Sequence, residues 1–112
     1  MEESNPLFPG QVSMWVENVN NDCIVFPYDF GLEIYYEERN KKHQIHNLME
    51  YNPHDDFTLG ASGEFFSVSS INFTPDLADI TISDSTRFIA KISGTMCKSD
   101  KPFVQEIPFT MP

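Results

Sequence analysis

The sequence predicts an all-β domain, because its apolar pattern repeatedly stops and restarts. Its apolar segments are short, are alternating or rich in β-branched residues, and end at Pro, Gly, Asn, Asp or Ser. These segments are residues 11–17, 23–26, 32–37, 64–71, 87–92 and 103–111. Together they predict one antiparallel β-sandwich of about seven strands over residues 11–112, preceded by an extended arm over residues 1–10.

The first predicted strand, residues 11–17, has one apolar face. Val12, Met14 and Val16 share that face, and Trp15 lies on the other, because successive side chains of a strand point in opposite directions. Trp15 is therefore a candidate for exposure to solvent. The alternative is that the N-terminal arm packs over its ring.

Two hairpins are predicted from the turn residues. Residues 18–22 are rich in Asn and Asp, which favour chain reversal, and we expect them to join the first strand to residues 23–26. Strand 32–37 has the clearest alternation in the chain. The charged residues 38–42 are expected to join it to a weaker strand at 43–48.

The second half of the chain has three further signals. Residues 49–63 lack a regular pattern and predict a long loop, either functional or a crossover between sheets. Residues 74–79 begin with Thr and Pro followed by acidic residues, which predicts one short helical turn. Pro108 removes a backbone donor, so we expect the last strand to lie at an edge or to contain a bulge.

The charge of the chain limits its partners. It has 17 acidic and 7 basic residues and a formal net charge of -10. Proteins that neutralise nucleic-acid phosphates need clustered Lys and Arg, so we expect no nucleic-acid partner. The acidic residues are interpreted as a solvated surface, with steering towards a basic partner as the alternative.

The expected location follows from missing targeting signals. No segment has the apolar length of a spanning helix, and the N-terminus lacks the pattern of a secretory leader. The sequence therefore predicts a cytoplasmic protein without membrane insertion. A surface or secreted location is the alternative if the chain is a domain excised from a longer protein.

Two cysteines, Cys23 and Cys97, permit one disulfide at most. The preferred interpretation is two buried thiols that act as small hydrophobic side chains. A disulfide between facing strands is the alternative, and it would require an oxidising compartment.

Several segments resemble small bacterial immunoglobulin-like domains, including the intracellular proteinase inhibitor type. Residues 12–18 followed by 23–26 resemble their opening strands, and residues 32–36 resemble their third strand. Residues 86–92 resemble a late strand of these domains, and 101–103 resemble the opening of the final one. The resemblance implies an immunoglobulin-like sandwich and a tendency towards protein binding, but it transfers an inhibitory role to no residue.

No catalytic site is predicted. Residues 60–63 fall one residue short of the Gly-x-Ser-x-Gly motif of hydrolases. Glu33 and Glu37 share a strand face, but they lie roughly 13 Å apart at strand rise, too far for a pair of glycosidase carboxylates. We therefore expect a non-enzymatic protein without a cofactor.

The histidines do not predict a metal centre either. His43 and His46 are three residues apart on a strand, so their side chains point in different directions. His54, Asp55 and Asp56 could complete a site only through an unpredictable loop geometry. The spacing lacks the tight ligand pattern of known metal motifs, so no metal is expected.

The remaining candidate is a recognition surface that combines aromatic rings with negative charge, as protein interfaces do. Strand 32–37 presents two carboxylates around one tyrosine on its outer face. The candidate interaction residues are Trp15, Glu33, Tyr35, Glu37, Tyr51, His54, Asp55 and Asp56.

The leading functional hypothesis is a module that binds a protein through an edge strand or an acidic and aromatic face. The alternative is a stand-alone acidic inhibitor, such as an immunity or phage counter-defence protein, that blocks a basic site on a target enzyme. A carbohydrate-binding domain using Trp15 and the tyrosines is a minor alternative. Self-association through a free strand edge also stays open.

Overall fold

The computed structural model of the protein describes residues 10–111, so all of the predicted N-terminal arm except Gly10 lies outside the described residues. Within that range there are eight strands and no helix, which confirms the all-β prediction. The strands are β1 (Val12–Glu17), β2 (Ile24–Phe26), β3 (Glu33–Glu38), β4 (Lys41–Ile45), β5 (Phe57–Leu59), β6 (Val68–Phe73), β7 (Arg87–Met96) and β8 (Pro102–Phe109).

The strands form two antiparallel sheets. β1 and β6 make a two-stranded sheet, and the other six strands are ordered β4-β3-β7-β2-β5, with β8 paired to β7. β7 organises the larger sheet, because β3 pairs with its N-terminal half, β2 with its C-terminal end, and β8 with most of its length. β8 therefore lies along the edge of β7 opposite β3 and β2. Pro108 lies in β8 and pairs with no strand other than β7 in the described chain, which confirms the predicted edge.

The predicted hairpin between β3 and β4 is confirmed. Its two turn residues, Arg39 and Asn40, have φ angles of 54° and 65°, as the tight two-residue turns of hairpins require. The pair Tyr36 and His43 stack their rings across the strands, with centroids 4.8 Å apart.

The predicted hairpin between the first two strands is wrong. β1 pairs with β6, whereas β2 pairs with β5 and β7. The intervening residues 18–22 carry the chain from one sheet to the other. They reverse no strand onto its neighbour, because their backbone is held by a buried side chain, Asn18, that also binds the distant Gly60.

The predicted helical turn at residues 74–79 is also wrong. The backbone there pairs with the residues that follow β4: Pro75 lies opposite Asn47 in an isolated bridge, and the Asp76 N–H donates to the His46 carbonyl at 2.8 Å. Backbone groups that bond to a neighbouring segment cannot also bond within a helix. The Thr-Pro-acid pattern therefore marks an extended segment followed by a single turn.

The interpretation of the cysteines as free thiols is wrong. Cys23 and Cys97 form a disulfide, with their Cα atoms 5.3 Å apart. The pairing of Ile24 with Met96 makes the cysteines neighbours across β2 and β7, and the Cys97 N–H donates to the Cys23 carbonyl at 2.9 Å. A separation of 74 residues along the chain conceals this contact from sequence reasoning.

Buried side chains of both sheets form one apolar cluster. Phe26 of β2 is fully buried, and its ring lies 4.9 Å from that of Phe30, 5.8 Å from that of Phe57 and 5.9 Å from that of Phe103. Phe73 of β6 and Phe109 of β8 join the two sheets through an edge-to-face contact at 5.2 Å. The buried members of the cluster are Val12, Val16, Ile24, Phe26, Phe30, Ile34, Ile45, Leu59, Ile71, Phe73, Phe88, Ala90 and Ile92.

Candidate interaction surface

The predicted acidic face of β3 forms as the alternation requires, but basic residues lie beside its carboxylates. Lys91 of β7 lies opposite Glu33, and its Nζ is 3.8 Å from Glu33 Oε1. The Tyr35 hydroxyl donates a hydrogen bond to the same carboxylate. This bond, with some desolvation and the negative charge of Glu33, raises the pKa of the Tyr35 hydroxyl.

Lys42 of β4 extends across this face. Its Nζ lies 5.4 Å from the centre of the Tyr35 ring and 2.9 Å from Glu106 Oε2 on β8. This ion-paired hydrogen bond raises the pKa of Lys42 and lowers that of Glu106. Glu37 stands between Lys42 and Arg87 in the strand register. Each carboxylate on this face thus has a cation beside it, so the face carries little unbalanced negative charge.

A larger group of exposed apolar side chains lies on the two-stranded sheet and the segments next to it. Trp15 is on the outward face of β1 and is 75% exposed, whereas Val12 and Val16 on the opposite face are buried, as the alternation predicts. Phe65 and Phe66, which lead into β6, are 91% and 81% exposed, and their ring centroids lie 6.3 Å apart. Val19 after β1 and Val68 in β6 are exposed as well. We call these five exposed side chains the aromatic surface: Trp15, Val19, Phe65, Phe66 and Val68.

The strand register brings parts of the aromatic surface together. Glu17 lies opposite Val68, so Val68 is the diagonal neighbour of Trp15 on the outward face. The Asn18 N–H donates to the Ser67 carbonyl at 2.8 Å, which continues the pairing beyond the strand. The two loops that carry the remaining members therefore meet at this end of the sheet.

The buried side chain of Asn18 forms hydrogen bonds with both of these loops. Its side chain is 2% exposed, and its Nδ2 donates to the carbonyls of Asp22 and Gly60, both at 2.9 Å. Its Oδ1 accepts bonds from the backbone and side-chain N–H groups of Asn20, at 3.0 and 2.9 Å. A buried amide with its donors and acceptor occupied links the loop after β1 to the loop before β6.

Replacing Asn18 with Ala is expected to lower the free energy of unfolding by about 1–3 kcal/mol, because it removes a buried amide and leaves two half-buried carbonyls without their donor. Urea denaturation followed by Trp15 fluorescence measures the change. Asn20→Ala, which removes a partner from a half-buried position, is the matched control and should cost less. Equal losses in the two variants would contradict the role assigned to Asn18.

Phe66 combines exposure with an unfavourable backbone conformation. Its φ of 62° lies in the left-handed region, which costs a residue with a Cβ about 1–2 kcal/mol. Phe30 has a similar φ of 61°, but its ring is buried against Phe26, so core packing offsets the strain. No comparable packing supports the exposed Phe66 ring. Its carbonyl accepts the Gly60 N–H at 2.9 Å, which holds the loop in this conformation.

The charged residues beside the aromatic surface are acidic. Glu17 is the only charged residue in segment 15–19, and Glu64 is the only one in segment 64–68. Both are exposed. The Glu64 carboxylate accepts the Ala61 N–H at 3.2 Å, so its charge is held close to the Phe65–Phe66 loop.

Tyr51 lines a groove between the ends of β3 and β4 and the loop that follows β4. Tyr51 is half-buried there; its hydroxyl donates to the Asn72 carbonyl at 2.6 Å and accepts a bond from Asn47 Nδ2 at 2.9 Å. Burial raises the pKa of the Tyr51 hydroxyl, the Asn47 bond opposes this rise, and the negative charge of Asp29 adds to it. His54 packs edge-on to Tyr28, with ring centroids 5.8 Å apart.

The eight predicted interaction residues are therefore divided among three places. Trp15 belongs to the aromatic surface, and Glu33, Tyr35 and Glu37 lie together on the β3 face. Tyr51 lines the groove, while His54, Asp55 and Asp56 are exposed in the loop that follows it. Sequence reasoning missed Phe65 and Phe66, which it placed inside a predicted strand. Successive side chains of a strand point to opposite faces, so Phe65 and Phe66 could not both face the core from one strand. This alternation was the signal in the sequence for an exposed aromatic ring.

His43 and His46 line one cavity, but His54 is not among its lining residues. His43 stacks on Tyr36, and His54 packs against Tyr28. Across residues 10–111, the single group of three potential ligands with atoms within 4.8 Å is Asp22, Cys23 and Cys97, and its two sulfurs are bonded to each other. Nor does any helix in this range have the length and apolar character needed to cross a membrane.

Known proteins were compared with the chain at three levels. Neither family models, nor curated proteins, nor solved structures match it. Functional inference therefore rests on the geometry of its surfaces.

Proposed function

We propose that this chain is a non-enzymatic protein-binding module whose aromatic surface contacts apolar side chains of a basic protein partner. The observation that carries the proposal is the exposure of Trp15 on β1 and of Phe65 and Phe66 in the segment that leads into β6, the strand paired with β1. Exposed Trp and Phe residues are costly in water and are typical of the centres of protein interfaces. The strained conformation of Phe66 adds support, because strain that folding does not require is often retained for function.

The size of the aromatic surface suits a specific interface. Trp and Phe side chains bury about 150–250 Å² each, so three of them supply roughly 500 Å². A standard interface buries about 800 Å² on each partner, so the neighbouring valines and a polar rim would supply the rest. The surface is thus large enough to form the apolar centre of a stable complex.

Charge favours a basic partner. Glu17 and Glu64 border the aromatic surface, and the whole chain carries a net charge of -10. Lys or Arg residues around an apolar contact would complement these carboxylates and accelerate association. An acidic inhibitor of a basic enzyme is one form that this binding mode can take.

The two other binding modes predicted from the sequence have less support. The β3 face is balanced by Lys42, Arg87 and Lys91. The exposed edge of β8 has Pro102 and Pro108 near its two ends, and proline discourages the addition of another strand.

We infer that the two sheets pack as an immunoglobulin-like sandwich. The order β4-β3-β7-β8 and the separate β1-β6 pair match the arrangement of the C′, C, F and G strands opposite the B and E strands. The contact between Phe73 and Phe109 supports face-to-face packing. The β2-β5 ribbon, which pairs with the end of β7, departs from that arrangement.

We also propose that the protein works in an oxidising compartment, the surface or secreted alternative predicted from the sequence. The Cys23–Cys97 disulfide supports this location, because such bonds are rare where cellular thiols keep proteins reduced.

Variants of the aromatic surface are expected to weaken partner binding at least about 10-fold, which corresponds to about 1.4 kcal/mol. The immobilised protein would first capture partners from an extract of its source organism. Isothermal titration calorimetry of the purified partner would then compare the wild type with Trp15→Ser and Phe66→Gly. Val104→Ser, at an exposed apolar position of β8, is the matched control and should change the affinity less than about 2-fold.

Stability measurements separate binding from folding. Phe66→Gly should leave the free energy of unfolding unchanged or raise it, because glycine adopts a positive φ without strain. Equal weakening by Val104→Ser would refute the aromatic surface as the binding site, and an affinity that is insensitive to salt would refute the basic partner. A wild-type dimer that Phe66→Gly dissociates in sedimentation velocity would show self-association through this surface instead.

A further inference from the structure

The groove beside Tyr51 is lined by apolar, aromatic and acidic side chains. Its volume is about 480 Å³. Leu32, Ile34 and Met49 contribute apolar side chains, and Tyr28 and Tyr51 contribute aromatic rings. A smaller cavity of about 210 Å³ shares both tyrosines and Met49 with the groove and extends to Ser70, Ile71 and Asn72 of β6.

The charge of this groove is negative. Asp29 and Glu50 line it, and no Lys or Arg does. Asp29 Oδ1 accepts the Gly31 N–H at 2.9 Å, which orients the carboxylate. The effect of Asp29 on the pKa of Tyr51 is consistent with a negative field inside the groove.

We propose that this groove binds an arginine side chain of the protein partner. The aliphatic stem of arginine would cover the apolar side chains, and its planar guanidinium would stack on a tyrosine ring and bond to Asp29 and Glu50. Guanidinium and carboxylate groups form strong, directional, charge-assisted hydrogen bonds. A purely apolar ligand would leave both carboxylates without a complementary group.

The groove and the aromatic surface are both next to the β1-β6 pair. Its smaller cavity reaches Ser70 of β6, and Ser70 lies directly opposite Trp15 in the β1-β6 pair. One partner could therefore contact Trp15 and insert an arginine into the groove. The identity of the ligand as a partner's side chain rests on the proposed function, whereas recognition of arginine by the groove does not.

The test is a ¹H–¹⁵N NMR titration of the protein with arginine amide. We expect saturable shifts at the backbone amides of Asp29, Met49 and Tyr51. Citrulline amide, which has nearly the same shape but no positive charge, should bind at least about 5-fold more weakly. Equal shifts with the two probes, or arginine-induced shifts scattered over all the acidic loops, would overturn the inference.

Two conservative substitutions locate the binding site. Asp29→Asn keeps an acceptor for Gly31, and Glu50→Gln changes an exposed residue, so the two variants should fold as the wild type does. Each is expected to weaken arginine amide binding at least about 5-fold, and Glu17→Gln should leave it unchanged. Unchanged binding in Asp29→Asn and Glu50→Gln would overturn the assignment, and Glu50→Gln alone decides if Asp29→Asn unfolds.

A Trp15→Ser variant separates this inference from the proposed function. It should retain arginine amide binding while losing affinity for the protein partner. Failure of arginine amide to bind, with partner binding still dependent on Trp15, would remove only the groove from the proposal. Arginine amide binding without any Trp15-dependent partner would instead remove the proposed function.

Discussion

Replacing Phe26 with Ala is expected to lower the free energy of unfolding by about 3–5 kcal/mol. The Phe26 ring is 0% exposed and contacts Phe30, Phe57 and Phe103, which come from three different parts of the chain. These rings are anchored by their own strands or loop, so they cannot move together to fill the space. The loss of unfolding free energy therefore has two parts: the cost of the cavity that remains, and the lost benefit of transferring the ring out of water.

Urea denaturation at constant temperature measures this loss. Phe65→Ala is the matched control, because it removes the same ring from a 91% exposed position and should change the free energy of unfolding by less than about 0.5 kcal/mol. A Phe26→Ala loss below about 1 kcal/mol would mean that this ring does not organise the core.

Removing the disulfide through a Cys23→Ala and Cys97→Ala double substitution is expected to cost about 2–4 kcal/mol. The bond links residues 74 positions apart, so it restricts a large part of the unfolded chain. For a domain of this size the melting temperature should fall by about 10–20 °C. The β2-β7 pairing stays available in the variant, so we expect a folded but less stable protein.

Differential scanning calorimetry with and without a reductant measures this contribution. The reduced wild type should melt close to the double variant, and reductant should leave the double variant unchanged. A wild type that reacts with iodoacetamide before reduction, and melts at the same temperature in both conditions, would contradict the disulfide.

Local signals predicted the elements whose partners are close in sequence. The β3-β4 hairpin followed from clean alternation and a charged turn, and its register joins residues that are only a few positions apart. The pairing of β1 with β6 could not be found in this way, since about half of the chain separates Trp15 from Ser70. Asn-rich residues 18–22 allowed a hairpin, but the buried bonds of Asn18 directed the chain elsewhere.

The candidate sites also contain some features that local sequence predicts and others that depend on the tertiary structure. Alternation alone predicted the outward position of Trp15 and the shared face of Glu33 and Tyr35. It could not predict that Lys91 would pair with Glu33, because β7 is reached only through the long-range fold. The groove was likewise hidden, since its walls come from loops brought together by tertiary contacts.

The sequence by itself determined most of the strand segments, although β5 lies inside the predicted loop 49–63, and it determined which side chains within β1 and β3 face outward. Those features depend on local backbone preference and on a two-residue period, which neighbouring residues encode. The tertiary structure alone decided the pairing of β1 with β6, the joining of Cys23 to Cys97, and the meeting of the loop after β1 with the loop before β6. These contacts form because burial of a common core outweighs the entropy of closing long loops, and that balance depends on the whole chain.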